Sequence, residues 1–189
     1  MGTSPQRVWL QGKICWWIDM IFVTVGNDYR NFDRLLKKMD EIAPHIPSEI
    51  VIQRGYSRYL PKKIKHFDFV SMNKAVEYIQ KSQLVVSHAG IGTIILCKKY
   101  GIPILILPRR KVYGEHMNDH QLEIAKALEN GGDENIYVVY EEDQLEENIL
   151  KVLKKATGYP LIENVGKMNL IRTIREFIER VQGDRSGGK

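Results

Sequence analysis

The sequence has few of the residues from which covalent or metal-bound frameworks are built, since only Cys15 and Cys97 occur among its 189 residues. Two cysteines so far apart indicate neither a disulfide framework nor a zinc site, which is typical of proteins in a reducing cytoplasm. No apolar run approaches the roughly 18 residues that a membrane-spanning helix needs. The sequence therefore argues against a disulfide-rich secreted protein and against an integral membrane protein.

Long runs of like charge are missing as well. The formal net charge is +5, but it is spread over short clusters, and no block of five or six like charges is present. A nucleic-acid-binding tail is therefore not indicated, whereas an anionic small ligand or an anionic membrane surface remains a reasonable partner. The clusters are Lys37-Lys38, Lys62-Lys63, Lys98-Lys99, Arg109-Arg110-Lys111 and Lys154-Lys155.

Several catalytic motifs are also absent. No Lys-Ser or Lys-Thr follows a glycine at P-loop spacing, and Ile95 stands where the dinucleotide-binding G-x-G-x-x-G fingerprint needs its third glycine. His116 and His120 are four residues apart, but the glutamate of a zinc H-E-x-x-H motif is not between them. A G-x-S-x-G nucleophile elbow is missing too. Kinases, simple nicotinamide oxidoreductases and metal sites are therefore disfavoured.

Residues 1–19 differ from the rest because they hold all three tryptophans of the chain. Leu10, Ile14, Trp17 and Ile18 would share one face of a helix, which suggests an amphipathic anchor in a membrane interface or a docking segment. The alternative is an N-terminal extension from a tag or an early start codon, since Met20 directly precedes a strand. Asp19 and the lack of a small-residue cleavage site argue against a secretory signal.

From Met20 onward, short β-branched runs alternate with amphipathic stretches. This alternation is typical of an α/β protein in which a doubly wound parallel sheet carries helices on both faces. The predicted strands are residues 21–25, 50–52, 66–70, 84–87, 103–108 and 136–140. With 43% hydrophobic residues, the chain is expected to form a single Rossmann-like domain over residues 20–182, followed by a flexible tail at 183–189.

Polar residues near helix starts predict caps. Asn73 is expected to cap the helix before the fourth strand, and Asn118 with Gln121 to form a capping box. Asp143 and Glu146 are expected to begin the next helix. After a break at 158–160, residues 165–181 predict a last amphipathic helix.

The stretch Leu84–Thr93 predicts a buried strand, a tight turn with Gly90 and Gly92, and the start of a helix. Such a turn presents unpaired N–H groups at the positive end of a helix dipole, so a phosphate or diphosphate is the predicted ligand. The alternative is that the glycines only allow the strand and helix to pack closely. Because ligands bind at the carboxyl ends of parallel strands, Gly26, the turn and the loop after Pro108 should open on one edge.

Two nearby positions leave alternatives open. His88 either satisfies a backbone carbonyl or contacts the ligand at the mouth of the turn. Gln121 is either a capping-box residue or, together with His120, part of a second ligand-facing loop at a helix N-terminus.

These segments resemble a known family. The residues Ser87-His88-Ala89-Gly90-Ile91-Gly92-Thr93, then Gly101-Ile102-Pro103 and Asn118-Asp119-His120-Gln121-Leu122-Glu123, are similar to the C-terminal donor-binding domain of family 28 glycosyltransferases. Within this MurG-like superfamily the chain resembles the single-domain, PssE-like proteins and the catalytic subunit of the two-part UDP-GlcNAc transferase of dolichol-linked oligosaccharide synthesis. The segments 22–26 and 32–35 match as well, so the resemblance spans about residues 20–182.

The resemblance implies the C-terminal half of a GT-B fold with a UDP-sugar at the carboxyl edge of the sheet. In the family, the glycine turn holds the diphosphate, the backbone after the third strand meets the uracil, and the His-Gln loop meets sugar and phosphate. The donor-binding residues implied in this chain are Gly26, Val70, Ser87, His88, Ala89, Gly90, Gly92, Thr93, Arg109, Asn118, His120 and Gln121. One departure is Leu96, where many relatives have an acidic residue thought to hold the ribose.

The implied reaction is inverting transfer of a sugar, without a cofactor and, since an Asp-x-Asp box is missing, without a metal. Backbone amides and Arg109 or Arg110 would stabilise the leaving diphosphate. The general base is expected on a membrane-associated partner that binds a polyprenyl-linked acceptor, with His88 and His120 as candidates in this chain. The chain would then be cytoplasmic and peripheral at the membrane through that partner. The alternatives are a non-catalytic nucleotide-sugar-binding or regulatory module and, less in keeping with the length, an epimerase-like enzyme.

Overall fold

The computed structural model describes residues 7–10, 13–16 and 20–156 of the chain. Two short antiparallel strands come first, β1 (Arg7–Leu10) and β2 (Lys13–Trp16). The sheet that follows contains β3 (Met20–Thr24), β4 (Glu49–Gln53), β5 (Lys65–Phe67), β6 (Leu84–Ser87), β7 (Ile104–Ile106) and β8 (Ile136–Val138). Its helices are α1 (Asp33–Ile42), α2 (Met72–Lys81), α3 (Ile91–Tyr100), α4 (His120–Asn130) and α5 (Leu145–Ala156).

All six strands of this sheet are parallel and lie in the order β5-β4-β3-β6-β7-β8. From β3 the chain builds the sheet outward to β5, then returns to place β6 beside β3 and builds in the opposite direction. The reversal creates a topological switch point between β3 and β6, where open α/β sheets bind their ligands. The predicted doubly wound parallel sheet is confirmed.

Strand β3 shows why both faces of the sheet are covered. All five of its residues are buried, and its three central residues alternate between two apolar clusters. Ile21 and Val23 belong to the cluster formed with α1 and α5, whereas Phe22 belongs to the cluster formed with α2, α3 and α4. A strand buried on both sides reads as a continuous apolar run, which is how residues 21–25 appear in the sequence.

The predicted helical face through Leu10 and Ile14 is wrong, because these residues lie in the paired strands β1 and β2. Tryptophan, valine and isoleucine, which occur across these two segments, favour extended structure over a helix. The rest of the predicted face, at Trp17 and Ile18, lies outside the described residues. So do the predicted break at 158–160, the helix at 165–181 and the tail.

Two predicted helix caps are displaced. Ser71, not Asn73, is the N-cap of α2, and its hydroxyl accepts a hydrogen bond from the Lys74 N–H at 3.3 Å. Before α5, Glu141 and Gln144 form the capping box that was expected at Asp143 and Glu146, and a turn of 3₁₀-helix at 142–144 leads into α5. Each helix start offers several polar residues within three positions, and the backbone conformation of the preceding turn selects among them.

The edge strand β5, which is the third strand of the sheet in chain order, is shorter than predicted. It ends at Phe67 instead of continuing to Val70. The Asp68 carbonyl accepts a hydrogen bond from the Gly55 N–H at 3.0 Å, and the chain then turns towards the Ser71 cap. Val70 therefore lies in a loop at the carboxyl edge of the sheet.

Candidate functional site

The carboxyl ends of β3 and β6 lie side by side at the switch point, where Thr24 is paired with Ser87. Each strand is followed within two residues by a predicted site residue, Gly26 after β3 and His88 after β6. The parallel register of the sheet therefore places these two residues together, at the point where the strand order favours a ligand.

Ser87 fixes His88 against the end of β3. The buried Ser87 hydroxyl donates a hydrogen bond to the Thr24 carbonyl at 3.0 Å, and its oxygen lies 3.2 Å from Nδ1 of His88. The half-buried imidazole therefore has one nitrogen held at the floor of the crevice, and its Cε1–Nε2 edge extends between Gly26 and Gly90.

The position of the His88 imidazole explains why residues 26 and 90, two of the predicted site residues, are glycines. A Cβ atom at Gly26 would lie 2.5 Å from Cε1 of His88, and Gly26 also has a positive φ of 73°. A Cβ atom at Gly90 would lie 2.3 Å from Nε2 of the same ring. Close packing alone therefore requires glycine at both positions. Gly92 is different, because nothing lies within 4 Å of a Cβ placed there.

The N-terminus of α3 opens beside this ring. The first hydrogen bond into the helix runs from Ile94 N–H to the Gly90 carbonyl at 3.2 Å, and no side chain caps this end within the described residues. The preceding N–H groups, of residues 91–93, point out of the helix without an intrahelical acceptor. Together with the helix dipole, they form a seat suited to an anion.

His88 makes stability depend on pH in a predictable direction. Burial, followed by the positive charge of Arg109, lowers the pKa of His88 to about 4, against the opposing effects of the Thr24 carbonyl and Asp28. Between pH 6.5 and 4 the unfolded chain therefore binds a proton that the folded chain does not, so stability falls as pH falls. We expect a loss of roughly 1 to 2 kcal/mol between pH 7.5 and pH 5.

Urea unfolding of the wild type and of His88→Asn at both pH values measures this effect. The variant should lose that part of the pH dependence, since the titrating group is gone. If the stability of His88→Asn fell between pH 7.5 and pH 5 as much as that of the wild type, the imidazole would not be the neutral, titrating group of the folded protein.

Arg109 requires a correction. It is the largest fully buried side chain, and its Nη2 donates a hydrogen bond to the Val25 carbonyl at 2.8 Å. Its Nη1 lies 3.0 Å from the carbonyls of Arg30, Asn31 and Glu115. Because backbone oxygens occupy both terminal nitrogens, the guanidinium is not presented to a diphosphate. Arg110, which is partly exposed and paired with a carboxylate of Glu141, remains an accessible cation of this loop, as does the exposed Lys111.

The predicted capping box at Asn118 and Gln121 is also wrong. Asp119 is the N-cap residue of α4, and its carboxylate accepts a hydrogen bond from the Lys111 N–H instead of capping the helix. The amide oxygen of Gln121 accepts from the Arg109 N–H at 3.0 Å. Gln121 therefore ties the first turn of α4 to the end of β7, and its amide nitrogen is the group left for a ligand.

The positions of His120 and Asn118 are consistent with a second ligand-facing loop at the N-terminus of α4. His120 is the first residue of α4 and its side chain is 40% exposed, with Nδ1 3.2 Å from a carboxylate oxygen of Glu123. The side-chain oxygen of Asn118 lies 3.4 Å from the His120 N–H and 2.8 Å from Nδ1 of His116. The loop before α4 is thus held by its own side chains, while the His120 imidazole stays accessible.

The other predicted residues fall into two groups. Thr93 in the first turn of α3 and Val70 before α2 are half-buried at the carboxyl edge. Ala89 is 1% exposed and belongs to the apolar cluster under α3, so it supports the turn from below. Leu96 packs against the same cluster. That contact gives the position a structural role, so α3 offers no carboxylate there for a ribose.

Sequence reasoning missed Thr24 and Gly55. The Thr24 hydroxyl accepts a hydrogen bond from the Gly26 N–H at 3.1 Å. Gly55, after β4, has a φ of 54°, and a Cβ there would lie 2.9 Å from the Gly26 carbonyl oxygen. Both residues shape the Gly26 turn. The only indication of these two residues in the sequence is their position, since Thr24 lies at the carboxyl end of one predicted strand and Gly55 shortly after the end of another.

The described part of the chain contains neither a cluster of metal ligands nor a membrane-spanning helix. There, no group of three or more histidine, cysteine, aspartate or glutamate residues is placed to hold a metal ion. Within the same residues, no helix is both long enough and apolar enough to cross a membrane.

Comparison with known sequences places most of the chain in one family. A sequence profile of the glycosyltransferase family 28 C-terminal domain matches residues 20–180. The human UDP-N-acetylglucosamine transferase subunit ALG13 is 30% identical over 123 residues, which is 59% of this chain and 10% of that protein. The subunit of the same name from Cryptococcus neoformans var. neoformans serotype D is 38% identical over 78 residues, 40% of this chain and 36% of that protein. The matches thus span a tenth to about a third of these relatives.

Solved structures agree on the fold. The glycotransferase of kitacinnamycin aligns with a TM-score of 0.54 and 18% identity over 95% of this chain and 48% of that chain. MurG from Acinetobacter baumannii aligns with a TM-score of 0.50 and 17% identity, over 75% and 41% of the two chains. The single sheet therefore corresponds to one half of a GT-B glycosyltransferase, as expected.

Proposed function

Because the chain belongs to the glycosyltransferase family 28 C-terminal domain family, we propose that it is the donor-binding catalytic subunit of an inverting, metal-independent UDP-sugar glycosyltransferase. The donor proposed is UDP-GlcNAc, and the acceptor is a hydroxyl group of a polyprenyl-linked or dolichol-linked molecule. The chain would act at the cytoplasmic face of a membrane, through a membrane-associated partner that binds the acceptor.

One observation carries this proposal. The uncapped N-terminus of α3 lies at the switch point, and Gly92 in its first turn faces open space. His88 and Gly26 explain the packing of the turn, but no contact within the chain explains glycine at position 92. A diphosphate close to the backbone would explain it, because a side chain there would hold the anion away from the N–H groups.

The geometry supports a simple mechanism. The acceptor oxygen attacks the anomeric carbon, a new carbon–oxygen bond forms, and the bond from that carbon to the β-phosphate oxygen breaks. The proton of the acceptor passes to a base, and UDP leaves with an added negative charge. Preorganised N–H groups at the start of α3, aided by the N-terminal turn of α4, are placed to stabilise that charge.

The reaction needs a general base that takes the proton of the acceptor, and the two histidines near the crevice differ in their suitability for this role. A His88 imidazole with a pKa of about 4, held between two glycines, is a weak proton acceptor. His120 is exposed and its Nδ1 lies near Glu123, so its Nε2 is the better candidate within this chain. We propose that the partner supplies the base.

A partner is also supported by the comparisons. The relatives named above are called subunits. The second candidate function is a nucleotide-sugar-binding module without turnover. Reconstitution with a candidate partner and a short polyprenyl-linked acceptor separates the two, since only a catalytic subunit yields glycosylated product and free UDP.

Substitution of Gly92 by alanine tests the donor seat, because stability and binding should change in opposite directions. Alanine in a helix is favoured over glycine by roughly 0.5 to 1 kcal/mol. Within the described residues, no atom from outside the helix backbone lies within 4 Å of the new methyl group. We therefore expect a slightly higher melting temperature and about 10-fold weaker UDP binding, the effect of losing one charge-assisted hydrogen bond.

Calorimetry with UDP, UDP-GlcNAc and GDP on the wild type and Gly92→Ala gives the measurement. Ile95→Ala, at an exposed position of α3, is the matched control and should bind as the wild type does. Absence of UDP binding to the wild type would refute the proposed function. Equal affinity in Gly92→Ala would place the diphosphate away from α3.

A further inference from the structure

The buried guanidinium of Arg109 has no evident role in the packing of the core. Arg109 is 0% exposed, and its Nε has no hydrogen-bond partner within the described residues. Among the described residues no carboxylate accepts a hydrogen bond from its side chain, and the four acceptors found there are backbone carbonyls. A buried cation is costly, and an apolar side chain of similar volume often serves stability as well or better. Its contacts therefore need another explanation.

Those contacts join the walls of the crevice. Val25, which accepts from Nη2, directly precedes Gly26 at the end of β3. Arg30 and Asn31, which accept from Nη1, lie in the loop between β3 and α1. Glu115, the remaining acceptor, lies in the loop between β7 and α4.

The Arg109 backbone extends the connection. Its N–H donates to Gln121 in the first turn of α4, at 3.0 Å. The Phe32 ring, 4.9 Å from Cζ of Arg109, supports the guanidinium from the α1 side. One residue thus links the Gly26 turn, the start of α1, the β7–α4 loop and the N-terminus of α4.

We propose that Arg109 is a positioning residue of the donor site: it fixes the Gly26 turn and the N-terminus of α4 at the separation that a diphosphate requires, without touching the ligand. This inference rests on the proposed function. It assigns Arg109 the role of holding the backbone of the segments that form the donor site. It differs from the role of a phosphate-binding cation, which would contact the ligand directly and would not be needed to hold these segments in the ligand-free protein.

Arg109→Lys tests the positioning role, because lysine keeps the charge but carries its donors on a single nitrogen and cannot replace both Nη1 and Nη2. At metal sites, removal of the residues that orient the ligands typically costs about 10- to 100-fold in affinity, and we take the lower end of that range as the guide here. We expect UDP to bind Arg109→Lys about 10-fold more weakly. Uridine, which lacks the diphosphate, should keep its affinity within a factor of about two, since a positioning effect is confined to the phosphates.

The matched control is Lys126→Ala, which removes an exposed cation on α4 beyond its first turn and should change UDP affinity by less than about threefold. Phe32→Leu is a second variant, in case Arg109→Lys folds poorly. It leaves Arg109 in place but removes the ring beneath it, so it should give the same pattern with a smaller loss.

Hydrogen exchange on the ligand-free protein tests the positioning role without a ligand. Arg109→Lys should accelerate exchange in segments 25–31 and 114–121 and leave α2 unchanged. If Arg109→Lys binds UDP as the wild type does, or if UDP and uridine weaken alike, the inference is overturned. Unchanged exchange in both segments overturns it as well, even if the wild type binds no UDP, in which case the proposed function fails separately.

Discussion

Replacing Gly90 with alanine is expected to weaken UDP binding strongly and to reduce sugar transfer about 100-fold, as a displacement of catalytic groups by about 1 Å does elsewhere. A Cβ at position 90 would lie 2.3 Å from Nε2 of His88, so the imidazole must move. The ring is enclosed on its other side by Gly26, where a Cβ would lie 2.5 Å from Cε1. The displaced ring must therefore enter the crevice in which the diphosphate is proposed to lie.

Gly114→Ala is a suitable control for this experiment. Gly114 has a φ of 67°, so alanine is strained there, but nothing lies within 4 Å of the new Cβ. It should lower stability without moving His88. The measurements are calorimetry with UDP and a reconstituted transfer assay. UDP binding in Gly90→Ala equal to that of the wild type would show that His88 does not border the donor seat.

The largest expected loss of stability follows substitution of Glu115 by alanine. The Glu115 side chain is only 3% exposed, and its two oxygens accept hydrogen bonds from Nε and Nη2 of Arg34, each at 3.0 Å. It also accepts from the Arg110 N–H at 3.0 Å. Burial lowers the pKa of Arg34, but the bonds to Glu115 and Glu142 outweigh it and raise the pKa overall. Alanine at 115 leaves Arg34 largely buried without its main partner, at a cost of about 3 to 5 kcal/mol.

Glu142→Ala is the matched control, because Glu142 is the other carboxylate paired with Arg34 but its side chain is 32% exposed. A more exposed pair contributes up to about 1 kcal/mol. Chemical unfolding of both variants at neutral pH measures the difference. Equal losses in the two variants would show that burial does not govern this ion pair.

The fold could be predicted because its signals are local. The buried strands β3 and β6 are continuous apolar runs, and Gly101 ends α3 in the left-handed conformation, with a φ of 69°. Such patterns determine the alternation of strands and helices, and the handedness of parallel connections then limits the topology. The sheet edge that carries Gly26 and His88 follows directly.

The side-chain contacts of the site could not be predicted in the same way. Gln121 carries the residue type of a capping box, yet its amide binds the Arg109 N–H, 12 positions away in sequence. Arg109 carries the charge of a phosphate ligand, yet its acceptors include Val25, 84 positions away. These partners are brought together only by the packing of the sheet. The sequence therefore predicted which segments meet at this edge of the sheet, but not the side-chain contacts that hold them together.

A structure of the protein with UDP bound tests the central claim most directly. The account predicts diphosphate oxygens within hydrogen-bonding distance of the N–H groups of residues 91–93, above Gly92, with the uracil beside the loop that contains Val70. Arg109 should remain bonded to the same backbone carbonyls and should not touch the ligand. UDP bound elsewhere, or a diphosphate held by side chains while the start of α3 stays free, would contradict the account.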